Sequence, residues 1–275
     1  MTSHRNLYIG LDSYERRYAY DADLNPANRT ELEGIIEGAS RDVDTFCKRF
    51  FYAETKVLTL DGLGQSWLSV PDLLVVTSLK LDENRDRTYE TTMAATDFLL
   101  QRVNHERPWD SFPKTRIVLD TQNGDFALFQ RQEQLVLLDG EWGYGNNVED
   151  TGDTVQDATE QDATEKTLLV GDGSVFSVGD TLRLGTEQQY VTGVSGNTLG
   201  VARGVNGTTA VVHANGLQID RYVYPRQVIE ATQIQAVRLW KRKEVGFIDR
   251  EPPSRFGQFD ESAGMALQDF VRYDS

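Results

Sequence analysis

The sequence predicts an α+β protein: a small helical core with β-hairpins and a short sheet, interrupted by an inserted all-β sandwich or barrel-like domain. Three observations carry this. Apolar residues recur at helical spacing over 32–50 and again over 228–240. The period drops to two in the stretches between. The composition also shifts at Asn146: from there to Asp220 the chain has no Pro or Trp yet holds 11 of its 23 glycines.

Thr30 followed by Glu33 has the form of a capping box, in which each side chain satisfies a free backbone N–H at a helix start. Leu32, Ile35, Ile36, Ala39, Val43, Phe46 and Phe50 then form one apolar stripe, with Cys47 beside it, over about six turns. Charged Arg41, Asp42, Asp44, Lys48 and Arg49 occupy the other side.

Next, residues 56–60 and 66–70 alternate around Asp61-Gly62-Leu63-Gly64, which predicts a hairpin. Residues 74–81, 98–103, 115–119 and 134–138 read as further short strands, the last running into Gly140-Glu141-Trp142-Gly143-Tyr144. Beyond Asn146 a tandem repeat, Asp157-Ala158-Thr159-Glu160-Gln161 then Asp162-Ala163-Thr164-Glu165-Lys166, reads as a solvated acidic linker. Short strands at 167–170, 181–184, 189–194 and 198–202, separated by Gly-rich turns, compose the inserted β domain. Pro225 opens a second helix. It ends in Lys241-Arg242-Lys243, whose charge complements the negative end of the helix dipole. The domains expected are therefore 1–145 with 221–275 as a discontinuous core with a C-terminal tail, and 146–220 as linker plus insertion. Removing 150–221 is expected to leave the remainder folding.

Composition excludes several functions. The chain has 275 residues, 39% hydrophobic and 26% charged, with a formal net charge of −15. So acidic a chain does not suit wrapping nucleic acid, which needs clustered Lys and Arg. The charge is uneven: 146–220 holds 11 acidic and 3 basic residues, whereas 221–255 holds 8 basic and 4 acidic. No apolar run reaches the roughly 20 residues that span a bilayer, and MTSHRNLYIG lacks the pattern of a signal peptide, so synthesis and retention in the cytoplasm are expected. Cys47 is the only cysteine, and it reads as a small core side chain. His4, His105 and His213 are scattered, without metal-ligand spacing. Neither a nucleophile elbow nor a phosphate loop is present, so no enzyme, cofactor or metal is expected. Asp172-Gly173 and Gly179-Asp180 read as turns, and Asn206-Gly207-Thr208 as an accidental glycosylation match.

Several of these features, in this order, resemble the head-to-tail connector (adaptor) proteins of tailed bacteriophages. They are Ala39-Ser40 with Cys47-Lys48-Arg49-Phe50, the Val70-Pro71 step, the Gly140–Tyr144 strand end and the Pro-initiated helix 225–243. Phe176–Asp180 and Thr198–Thr209 resemble a β module inside some phage adaptors. The likeness covers most of 28–243. It departs from usual members in the roughly 80 residues between Tyr144 and the second helix.

The resemblance implies a virion protein, made in the host cytoplasm, that forms a ring of commonly twelve subunits around a DNA channel. Its partners would be itself, the portal above and neck or tail proteins below, with DNA passing without sequence-specific contact. The candidate portal or ring interface is Arg238, Trp240, Lys241, Arg242, Lys243, Phe256, Phe259, Phe270 and Tyr273. The basic group also reads simply as charge facing solvent at a helix end. The tail aromatics read as a segment that orders only against a partner. A second function class is a binding module whose inserted domain recognises another virion protein or a glycan.

Overall fold

Two helical stripes flank the strands as expected, but the strands dominate. In a computed structural model the chain is described over residues 6–18, 26–102, 113–244 and 259–272. The helices α1 (Leu11–Tyr18) and α2 (Pro26–Cys47) lead into β1 (Glu54–Gly62), β2 (Trp67–Leu81), β3 (Thr91–Thr92), β4 (Phe98–Gln101), β5 (Lys114–Leu119) and β6 (Gln132–Trp142). Then come β7 (Val148–Thr154), β8 (Glu160–Gln161), β9 (Thr167–Leu169), β10 (Thr181–Leu184), β11 (Glu187–Ser195), β12 (Thr198–Ala202), β13 (His213–Ala214) and β14 (Gln218–Tyr222). Helices α3 (Arg226–Glu244) and α4 (Glu261–Leu267) close the described chain.

The expected fold class is thereby corrected. The protein is mostly β, with about 14 strands in three antiparallel sheets and 23% helix, not a helical core with a small sheet. The physical reason is strand length: runs read separately as 66–70 and 74–81 are one 15-residue strand, β2. Pro71 does not end it. The β2–β5 register jumps between Ser69 and Leu73, and this irregularity accommodates a residue that cannot donate to the ladder.

Contacts divide the chain into residues 51–146 and residues 1–50 with 147–275. This line differs from the division expected from composition. In the 51–146 unit the sheet order is β1-β6-β2-β5-β4, with β3 on the end of β2. The expected β1–β2 hairpin is absent: the 61–64 turn joins them in sequence, but β6 lies between and pairs with both. One face, with Leu79, Leu138 and Trp142 buried, forms the core.

In the other unit, the acidic stretch after Asn146 is strand, not solvated linker. Residues 148–154 pair with β14, and 160–161 pair with β13. The sheet order is β7-β14-β10-β11-β12-β9. A bridge between Val155 and Val170 joins its two edges, so the sheet closes into a small barrel. Its core includes Leu168, Phe176, Leu182, Val191, Leu199 and Ile219. Closure removes the free strand edges that invite pairing with another chain.

Around this barrel the helices pack in the same unit. Leu32, Ile36, Ala39, Val43 and Cys47 of α2 are fully buried, whereas Ile35, Phe46 and Phe50 are half-buried. Helix α2 starts at Pro26, four residues before the expected cap, and leaves Thr30 inside it and exposed. It ends before Phe50. Lys48 takes a left-handed conformation (φ 53°) and Arg49 N donates to Asp44 O at 3.2 Å, a Schellman-type stop.

The N-terminal arm sits between α2 and the barrel. Leu11 N donates to Val178 O (2.9 Å), Asp12 N to Ser177 Oγ (2.9 Å), and Tyr190 OH to Glu33 Oε1 (3.2 Å). Gly179 (φ +97°) allows the arm to approach, since a Cβ there would lie 2.5 Å from Leu7 Cδ1. The barrel is therefore part of the core of its unit.

Deleting 150–221 should unfold the helical part of that unit rather than spare it. Cys47 reports the outcome: it is fully buried and burial pushes its thiol up to about 12, so the native thiol should resist labelling. Rapid thiol labelling of the deletion variant at pH 8 is expected; protection equal to that of the full chain would contradict the packing described.

Candidate functional site

Helix α3 carries the first group of expected interface residues. Val228, Ala231, Thr232, Gln235 and Ala236 are buried and fix its inner face. Gln235 Nε2 donates to Asp42 Oδ2 of α2 at 2.8 Å. Arg238 and Trp240 are half-buried and Lys241 is exposed. Arg242 and Lys243 belong to α3, but their side chains lie outside the described residues, as do Phe256 and Tyr273.

The tail expectation is corrected where it can be seen. Phe259 is buried and stacks on Phe46 of α2, with ring centroids 4.7 Å apart and planes at 13°. Asp260 caps α4 by accepting from Ser262 N (2.9 Å) and Ala263 N (3.2 Å). Asp260 N in turn donates to Gln235 Oε1 (3.2 Å), and Arg272 N donates to Cys47 O (2.9 Å). Phe270 is half-buried. Residues 259–272 thus pack on their own chain, without a partner. A short helix near 263–273 is legible in the sequence, but its anchor, Phe259, lies upstream of that stretch, where no helical spacing marks it.

The most tightly knit polar cluster lies in the barrel unit, and sequence spacing gave no sign of it. Glu187, wholly buried, receives Arg203 Nε (2.7 Å), Arg203 Nη2 (2.9 Å), Gly204 N (3.0 Å), Val211 N (3.0 Å) and His213 Nε2 (2.8 Å). Arg203 further donates to the carbonyls of Asp162, Glu165 and Val211. Burial opposes the Glu187 charge. Arg203, His213 and the two N–H groups outweigh it and hold the carboxyl at about 2, below its ordinary 4.5.

With every Glu187 oxygen engaged, the cluster braces the 203–213 loop and lacks the open position a reacting group would need. His213 Nε2 bonds Glu187 Oε2, 26 residues away in sequence. Asn206 (φ 55°) exchanges amide bonds with Asn6 (2.8 and 2.9 Å) and donates to Gln188 Oε1 (2.7 Å), so the glycosylation-like Asn-Gly-Thr works as a packed turn.

The Asp-Gly elements likewise act within turns. Asp172 accepts from Ser174 N (2.9 Å), and Asp180 accepts from Ser177 N (2.9 Å) and faces Arg221. In the 51–146 unit, carboxylate oxygens of Asp82, Asp86 and Glu90 lie within 4.8 Å of one another. Asp82 is nevertheless occupied by the N–H groups of Arg85, Asp86 and Arg87 (2.7, 3.3 and 2.9 Å), so it braces its own loop.

No protein-family model, curated protein or solved structure matches the chain. No described helix is long and apolar enough to cross a membrane.

Phe259→Ala should cost roughly 3–5 kcal/mol, read by urea unfolding with Cys47 labelling as probe. Glu187→Gln tests the buried cluster. Its depressed carboxyl contributes stability that is full above pH 4.5 and lost as pH falls toward 2. The variant should lose about 3 kcal/mol at pH 7 and show a flatter decline between pH 4.5 and 2 in acid titrations.

Proposed function

We propose that this chain is a structural, non-catalytic virion protein: a head-to-tail adaptor that forms a ring between portal and neck around the DNA channel. One observation carries the reading. The Ala39-Ser40 helix and the Pro225-initiated helix are the two ends of the connector resemblance, and they pack together in one unit, joined by Gln235 and Asp42 across 193 residues. Exposed Lys241 and half-buried Arg238 leave that end of α3 able to meet a neighbouring subunit or the portal, whereas Trp240 packs against the apolar cluster of Leu32, Ile36 and Ala236.

The runner-up, a glycan-binding module, loses support. Sugar faces stack on exposed aromatic rings, and the only aromatics of 146–220, Phe176 and Tyr190, are buried. Recognition of another virion protein by the barrel remains compatible with the adaptor reading.

Cryo-electron microscopy of particles carrying the chain, and of the purified protein, tests the proposal. A closed ring at the neck, with a central hole wide enough for duplex DNA, is expected. Density for the chain elsewhere in the particle, or its absence from the particle, would overturn it.

A further inference from the structure

A cleft in the 51–146 unit has three arginines in its lining. Its cavity of about 280 Å³ is lined by Arg85, Arg87 and Arg131, with Gln132 and Gln134 between them and Asp82 and Glu133 as its acids. The sheet builds it: β2 ends at Leu81 opposite Val136 of β6, so the 82–90 loop lies beside the start of β6.

Arg85 and Arg87 have φ of 67° and 65°, a left-handed conformation costly for residues other than glycine. The Asp82 carboxylate holds them there by accepting both their backbone N–H groups. All three arginines are exposed, and no described hydrogen bond or ion pair engages their guanidiniums. Gln132 Nε2 donates to Asp82 O at 2.8 Å, while its buried Oε1 has no hydrogen-bond partner. That acceptor is open to an incoming donor.

We propose that this cleft binds the phosphate group of a small anion, inorganic phosphate or a phosphomonoester. Guanidiniums match tetrahedral oxyanions through paired N–H donors. A protonated phosphate oxygen also supplies the donor that Gln132 Oε1 lacks, which a carboxylate cannot do. The surroundings select for size: Glu83, Asp86, Glu90 and Glu133 are exposed around the same loop and strand, so a long polyanion meets repulsion that a compact ion avoids. Asp86 stays ionised, since the Thr88 N–H holds its carboxyl below the usual range.

Calorimetric titration of the full chain at pH 6 tests this; near there about half of a phosphomonoester keeps its second proton. The probes are inorganic phosphate, a nucleoside monophosphate and a duplex oligonucleotide. Saturable binding of phosphate and monophosphate alike supports recognition of the bare group; binding of the monophosphate alone supports it with a nucleotide as source. Arg131→Gln and Arg85→Gln should each weaken binding about tenfold, and Lys114→Gln should not. Arg131→Gln leaves the 82–90 loop unchanged, so the test survives if Arg85→Gln loosens it. Flat titrations, binding indifferent to both arginines, or binding of the duplex alone with steep salt dependence would each overturn the proposal. None of these outcomes bears on ring formation.

Discussion

The larger unit depends on a short arm held between a barrel and a helix pair. Residues 6–18 and the α2 region meet segments that begin about a hundred residues later, after Asn146. Bringing such segments together costs loop-closure entropy that rises slowly with length, so a few well-made contacts can hold long connections. The arm makes them. Asn6 pairs reciprocally with Asn206, Leu11 and Asp12 donate to the 177–178 turn, and Leu7, Ile9, Leu11 and Tyr14 join Leu32 and Ile36 in one apolar cluster. Because the same cluster takes Ala236 and Val178, it unites helix, barrel and arm. The left-handed backbone at Asn206 and Gly179 lets these surfaces meet.

How much of this was legible follows from contact range. Helices α2 and α3 were readable because their signal is local: stripes at three- and four-residue spacing place Ile36, Ala39 and Val43 inside, whereas the eight-residue α1 was not expected. The barrel's short strands and Gly turns were readable for the same reason. Pairing was not. Leu58 faces Leu138 rather than its neighbour across the 61–64 turn, and nothing near Leu58 encodes a partner 80 residues away. Pro71 misled in the other direction, since a strand irregularity lets β2 run through a residue that usually ends one. The acidic repeat shows the limit of composition. In its first copy Asp157 and Gln161 are buried, and Gln161 bonds Thr167 O and Gln189; in the second, the Asp162 carboxylate caps a turn through Thr164 and is exposed. Identical tetrapeptides differ in burial, Asp157 lying inside and Asp162 exposed, because their surroundings and not their sequence decide it.

The candidate surfaces divide along the same line. Arg238 and Lys241 could be nominated because a helix end advertises itself by charge and spacing. The Arg85, Arg87 and Arg131 cleft was missed because its members come from two strand ends that only the β2–β6 register brings together. A partial signal did exist in Asp82-x-Asn84-x-Asp86-x-Thr88, an alternation of short polar side chains suited to a tight loop. That pattern predicts a braced turn, and it is silent about which residues the brace presents.

The net charge of −15 therefore means less about the surface than it first suggests. Several carboxylates are internal acceptors for backbone N–H groups. Asp82 holds the 85–87 loop, Asp153 accepts from Gly171 and Asp172 to tie β7 to the turn after β9, and Glu187 gathers the 203–213 loop. Each replaces water with fixed donors, which keeps a buried charge tolerable. A chain that uses acids this way can carry a strongly negative formal charge while keeping exposed basic side chains, such as those of Arg131 and Lys241, at particular places. Attraction for a negatively charged group is then concentrated at those places rather than spread over the whole surface.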